Sequence, residues 1–139
     1  MPEHFADRLM AAIKEKSSRV CVGIDPVPER LPDALSAEGD VIERVRCFCT
    51  RILRAVADYA AIVKPNSAFF EALGPDGMAL MHDVVLEAKR LDLLVIVDAK
   101  RNDIGSTAEA YAKSIFGPRV ADASDLPDAV TVNPYLGSD

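Results

Sequence analysis

Apolar positions along this 139-residue chain alternate between helical and strand spacing, and the alternation repeats. Phe5, Leu9, Ala12 and Ile13 share one side of an amphipathic helix over residues 3–16. The run Val20-Cys21-Val22-Gly23-Ile24 then predicts a strand that ends at Asp25-Pro26. Pro26, Pro28 and Pro32 mark the following stretch as a long loop. Val41, Val45, Phe48, Ile52 and Val56 form the stripe of a helix reaching to Tyr59. Ala60-Ala61-Ile62-Val63 is a short strand ending in Lys64-Pro65-Asn66, and Gly74-Pro75-Asp76-Gly77 is expected to break the chain. A helix over Met78–Arg90 would turn Met81, Val84, Val85 and Ala88 inward. A third strand covers Leu93 to Lys100. Ser106 with Glu109 reads as a capping box for a helix from about Thr107 to Phe116, stopped by Gly117-Pro118. Ala129-Val130-Thr131-Val132 is a fourth strand, ending in Asn133-Pro134-Tyr135.

Strands that alternate with helices favour a parallel sheet with right-handed crossovers. Polar side chains sit where successive strands stop: Asp25, Lys64, and Asp98 with Lys100. That is how a (β/α)8 barrel assembles an active site. A doubly wound sheet also fits the alternation, but no G-x-G-x-x-G follows the first strand. A complete barrel needs about 250 residues. The expected architecture is therefore α/β, the N-terminal half of a (β/α)8 TIM barrel. Residues 1–139 would form one partial domain that stops after the fourth strand.

Composition narrows the function. The net charge of −6 argues against a general nucleic-acid surface, which needs clustered Lys and Arg. No apolar run approaches the roughly 20 residues of a membrane span. The N-terminus lacks the apolar core of a signal peptide. Three cysteines make no disulfide framework, so all three are expected to be buried thiols in a cytoplasmic protein. His4 and His82 have no ligand-spaced neighbours, and no metal site is expected from them.

The chemistry is concentrated in Leu94-Val95-Ile96-Val97-Asp98-Ala99-Lys100-Arg101-Asn102-Asp103-Ile104. A β-branched run there ends abruptly in charge. On an extended chain Asp98 and Lys100, two apart, share a face. Opposite charges aimed together out of an apolar strand are costly to bury unless paired or used. Singly, each residue has a plain structural alternative: Asp25 ends a strand, Lys64 is solvated, Asp103 caps a turn, and Thr107 is a first-turn helix residue. Those alternatives weaken together, because the residues gather at one end of consecutive strands.

Asp98-Ala99-Lys100-Arg101-Asn102-Asp103-Ile104 resembles the D-x-K-x-x-D-I motif of orotidine 5'-phosphate decarboxylases. Asp25 and Lys64 sit where that family has its Asp and Lys. Lys64-Pro65-Asn66-Ser67-Ala68-Phe69-Phe70-Glu71 and Asn133-Pro134-Tyr135-Leu136-Gly137 resemble its bacterial branch that includes mycobacterial enzymes. The resemblance implies cofactor-free decarboxylation of orotidine 5'-phosphate to uridine 5'-phosphate in pyrimidine biosynthesis, with no metal, flavin or pyridoxal phosphate. Lys100 would donate the proton to C6. Asp98 would face the substrate carboxylate. Lys64 and Asp103 would complete an alternating Lys/Asp network, with Asp103 from the other subunit of a homodimer. Asp25 and Lys64 would hold ribose hydroxyls, and Asn66 would lie on the rim. Ile104 and Thr107 would come from the partner subunit. The family's phosphate-gripping Arg and Gln belong to later strands.

Two other readings remain open. One is a metal-dependent sugar-phosphate decarboxylase or aldolase of the same superfamily. Those enzymes carry an acidic ligand after the second strand, where Lys64 would repel a divalent cation. The other is a half-barrel that serves only as an interaction unit.

Overall fold

In each of the four strands an apolar residue faces the helices and the next residue, which is polar, faces the opposite way. Ile24 precedes Asp25, Val63 precedes Lys64, Val97 precedes Asp98, and Val130 precedes Thr131. Ile24, Val63 and Val97 belong to the buried core, and Val130 packs against it. The two-residue period of a strand thus separates scaffold from site. The computed structural model describes residues 4–117 and 125–136.

Helix α1 (Phe5–Lys16) is capped by the His4 side chain, which accepts the Ala6 N–H. Its expected stripe of Phe5, Leu9, Ala12 and Ile13 is half-buried. Strand β1 (Cys21–Ile24) follows, then a proline-rich connection containing two short 3-10 turns, Pro28–Arg30 and Asp33–Leu35. Helix α2 (Val41–Val56) starts at Asp40, whose carboxylate accepts the Glu43 N–H at 3.0 Å. Its buried line is Val45, Cys49 and Leu53, with Phe48, Ile52 and Val56 beside it. Val41 is exposed instead of joining the stripe, and the helix ends before Tyr59, which is also exposed.

Strand β2 (Ile62–Pro65) leads into a short helix α3 (Ser67–Glu71) that the hydrophobic pattern did not show. Helix α4 (Gly74–Arg90) begins where a chain break was expected. Pro75 is tolerated in a first turn, where its missing N–H would go unused. Gly77 is inside the helix because a Cβ there would lie 2.1 Å from the Phe70 carbonyl oxygen. It lets α4 pack closely on α3. Leu80, Val84, Val85 and Ala88 are buried against the sheet, and Met81 packs at their margin.

Strand β3 (Leu94–Val97) is shorter than expected and alternates between half-buried and buried positions. Helix α5 (Gly105–Phe116) is entered from Ile104 through Gly105, at φ +52°, with no side-chain cap. Ser106 lies inside the first turn, so the expected capping box does not form. Gly117 ends the helix, while Pro118 falls outside the described residues. Strand β4 is Ala129–Val130. Of the cysteines only Cys49 is buried. Cys21 is exposed on the edge strand and Cys47 is half-buried.

The sheet is parallel throughout, in the order β1-β2-β3-β4. A doubly wound sheet would reverse direction at a switch point. This one advances a strand at a time, as a (β/α)8 barrel does. The end of the sheet where the strands begin is held by Asp128, whose carboxylate is 2% exposed. It accepts from Lys89 at 2.8 Å, from the Val95 N–H at 2.7 Å, and from Arg8 of α1. Asp128→Ala leaves two cations and a strand amide without their acceptor. We expect a loss of about 2–4 kcal/mol, read from urea melts of parent and variant. A loss below about 0.5 kcal/mol would make the pairing incidental.

Candidate active site

Lys64, Asp98 and Thr131 come from β2, β3 and the residue after β4, and they meet on the sheet face turned away from the helices. Lys64 is inside β2, level with Gly23 of β1, so its long side chain reaches toward the strand ends. Asp98 lies just past β3. Its N–H donates to the Pro65 carbonyl at 2.9 Å, and a bridge pairs it with Asn66. Its carbonyl accepts from the Ser67 N–H at 3.2 Å. The carboxylate is thereby fixed through its backbone.

The Asp98 side chain is almost fully buried, and both its oxygens are occupied. Lys64 Nζ lies 2.5 Å from Oδ2. Lys100 Nζ lies 2.5 Å from Oδ1, and the Thr131 hydroxyl donates to that same oxygen at 2.8 Å. Donation from Lys100, and then from Lys64, holds the Asp98 carboxyl far below the usual carboxylate range, outweighing the opposite effect of burial. The same contact with Asp98 raises Lys64 above the usual lysine value.

Lys100 reaches Asp98 by a route that the strand pattern did not anticipate. The extended chain ends before it, and Lys100 has φ +50°. A left-handed conformation costs a non-glycine residue about 1–2 kcal/mol. The turn folds the lysine back over Asp98, leaving its side chain 60% exposed. Its backbone is held from β4: the Lys100 N–H donates to Thr131 Oγ1 at 3.0 Å, and the Lys100 carbonyl accepts from Asn133 Nδ2 at 3.3 Å.

Asn66 caps α3 by accepting the Ala68 N–H at 3.3 Å, and its amide donates to Asp25 at 3.4 Å. Asp25 and Asn66 therefore stand at the margin of the cluster. Asp103, Ile104 and Thr107 do not join it. The Asp103 carboxylate accepts from the Ile104 N–H at 2.8 Å and forms no ion pair with another described residue. It opens onto a neighbouring groove of about 360 Å³ lined by Tyr111, Phe116, Val132 and Leu136. Ile104 is 58% exposed, and Thr107 is also exposed on the first turn of α5. Thr131, Asn133 and Ser67 are site residues that the sequence did not single out. The signal for Thr131 was its place after Val130, in phase with Asp98.

Residues 18–139 match the model of the Orotidine 5'-phosphate decarboxylase / HUMPS family. This chain belongs to that family. The orotidine 5'-phosphate decarboxylase of Rhodopirellula baltica is 46% identical over 142 aligned positions, covering 97% of this chain and 47% of that protein. Its counterpart in Roseiflexus castenholzii is 45% identical over 136 positions, covering 98% and 46%. The structure of Leishmania donovani OMP decarboxylase matches with a TM-score of 0.74 at 34% identity, covering 99% of this chain and 47% of that one. The chain spans about half the length of the curated decarboxylase relatives it matches. Among the described residues, no helix is long and apolar enough to cross a membrane.

The sign of the pH dependence follows from Asp98. A carboxyl with a depressed folded pKa contributes stability that is present above its unfolded value and lost as pH falls through the folded one. Lys64 is the reverse case: its contribution is fully present below the unfolded value and lost as pH rises through its elevated one. Asp98→Asn should therefore be less stable than the parent by a constant margin between about pH 5 and pH 9, narrowing below about pH 4. Urea melts across that range test this. A margin unchanged down to about pH 2 would contradict the ion pairs.

Proposed function

We propose that this chain supplies the decarboxylating half of an orotidine 5'-phosphate decarboxylase, with Lys100 as its proton donor. The observation that carries the reading is the exposed Lys100 ammonium, held on buried Asp98 at the carboxyl ends of the strands. In the reaction the bond between C6 of the pyrimidine and its carboxylate breaks. Carbon dioxide leaves and the electron pair stays on C6. An ammonium fixed beside that carbon stabilises the transition state more than the substrate, whose charge is still on the carboxylate. The Lys100 proton then passes to C6, giving uridine 5'-phosphate. Asp98 faces the departing carboxylate and holds Lys100 in place. Asp25 and Lys64 hold ribose hydroxyls, with Asn66 on the rim.

The second copy of a homodimer provides Asp103, Ile104 and Thr107. The exposure of Ile104 and Thr107, and the place of Asp103 in the wall of the neighbouring groove, support this assignment. Two ammonium groups occupy both oxygens of Asp98, and this favours a cofactor-free reaction over one that places a divalent cation there. The setting is the cytoplasm, in keeping with three free thiols.

The test is a graft. Residues 1–139 replace the matching half of the Rhodopirellula baltica enzyme, and release of carbon dioxide from orotidine 5'-phosphate is measured in excess EDTA. Activity is expected. Lys100→Ala in the same graft should lower it by at least about 1000-fold with unchanged circular dichroism. Turnover within tenfold of the parent would remove Lys100 from the role. Activity that returns only with magnesium would favour the sugar-phosphate enzymes.

A second experiment addresses the shared site. Inactive Asp103→Ala and inactive Lys100→Ala grafts are mixed and allowed to exchange subunits. Heterodimers should regain one intact site, up to about a quarter of the parent activity if pairing is random. No recovery after verified exchange would place Asp103 outside the partner's site.

A further inference from the structure

We propose that Thr131 and Asn133 are positioning residues that clamp the backbone of Lys100 and hold it in the left-handed turn from which its ammonium reaches Asp98. This rests on the reading of Lys100 as proton donor.

The geometry builds the clamp from one short stretch. The Thr131 N–H donates to the Val97 carbonyl at 3.0 Å, extending the β3–β4 pairing by one residue and fixing Thr131 beside Asp98. Its hydroxyl then makes two bonds of forced polarity. The Lys100 N–H can only donate, so Thr131 Oγ1 accepts from it at 3.0 Å. The ionised Asp98 carboxylate can only accept, so the hydroxyl proton goes to it at 2.8 Å. One side chain thus ties the peptide that places the lysine to the carboxylate that pairs with it. Asn133, two residues on, donates its amide to the Lys100 carbonyl at 3.3 Å. Both backbone groups of Lys100 are held by side chains from β4 and its extension. A left-handed lysine persists only where its surroundings hold it there. Released, the residue returns to negative φ and swings its side chain off Asp98.

Thr131→Val keeps the shape and the β-branch of the residue and removes only the hydroxyl. Asn133→Leu removes the amide at similar volume. The Asp98 titration is followed by carboxyl-carbon NMR in the 139-residue chain, and steady-state kinetics are measured in the graft. In Thr131→Val the Asp98 midpoint should rise by at least about half a pH unit. Its kcat should fall about 100-fold with KM within about threefold, the cost of a misplaced reacting group. Thr131→Ser should restore kcat to within about fivefold, because it returns the hydroxyl. Asn133→Leu should lower kcat about tenfold by the same route.

Thr131→Val with lowered thermal stability but unchanged Asp98 midpoint and kcat would overturn the proposal, since the pair would then only seal the join between β3 and β4. An inactive parent graft in which Asn133→Leu, which touches only the Lys100 carbonyl, still raises the Asp98 midpoint would uphold the clamp and sink the decarboxylase reading. The two failures are therefore distinguishable.

Discussion

The carboxylate of Asp98 organises the open end of this sheet. The side chain is 9% exposed, and a charge that deeply placed persists only when its lone pairs are used. Three donors use them, and each arrives from a different part of the chain: Lys64 within β2, Lys100 after β3, and Thr131 after β4. The constraint runs in both directions. Removing Asp98 would leave two ammonium groups facing each other. Removing a donor would leave part of a buried charge without compensation. Parallel register brings Lys64 and Thr131 to Asp98, because each strand places a residue on the inner face directly after one that packs on the helices, while Lys100 arrives by its turn.

A second carboxylate with two cations holds the other end of the sheet, and the contrast shows what makes one cluster chemical. Asp128 draws its partners from α1, α4 and the β3 backbone, and its own side chain is 2% exposed. Lys89 is 16% exposed and Arg8 33%, so scaffold covers most of that network. At Asp98 the charge count is the same, yet Lys100 is 60% exposed. A closed network holds elements together. An open one presents an ammonium with a fixed position and an occupied partner. Pairing alone would not separate the two.

Much of this was legible in the sequence, because the strand period and the abrupt ends of apolar runs report the side of the sheet directly. Asp25, Lys64 and Asp98 were visible as polar residues stepping out of β-branched runs. The parts that were not legible depend on contacts distant in the chain. Gly77 reads as a breaker unless the Phe70 carbonyl above it is known. Ser106 with Glu109 satisfies the spacing of a capping box, yet Gly105 takes the entering turn. The meeting of Asp98 and Lys100 was expected from a shared strand face. The pair does meet, but through a left-handed turn held by Thr131 and Asn133, residues some 30 positions away. Strand alternation is a local property, whereas the conformation of Lys100 belongs to the neighbouring strand.

The two lysines on Asp98 are not equivalent, and the backbone explains why. Lys64 stands in a regular strand, between two neighbouring strands, with its side chain 32% exposed. Its position follows from sheet register alone, so it cannot move without the sheet. Lys100 stands outside the ladder in a conformation that its own chemistry disfavours, with a more exposed side chain. An ammonium fixed by register suits holding a buried carboxylate. Lys100, held on Asp98 at the rim, is the ammonium that solvent or a bound ligand can reach while Lys64 continues to compensate Asp98. The same two residue types thus differ in access by where each leaves the strand.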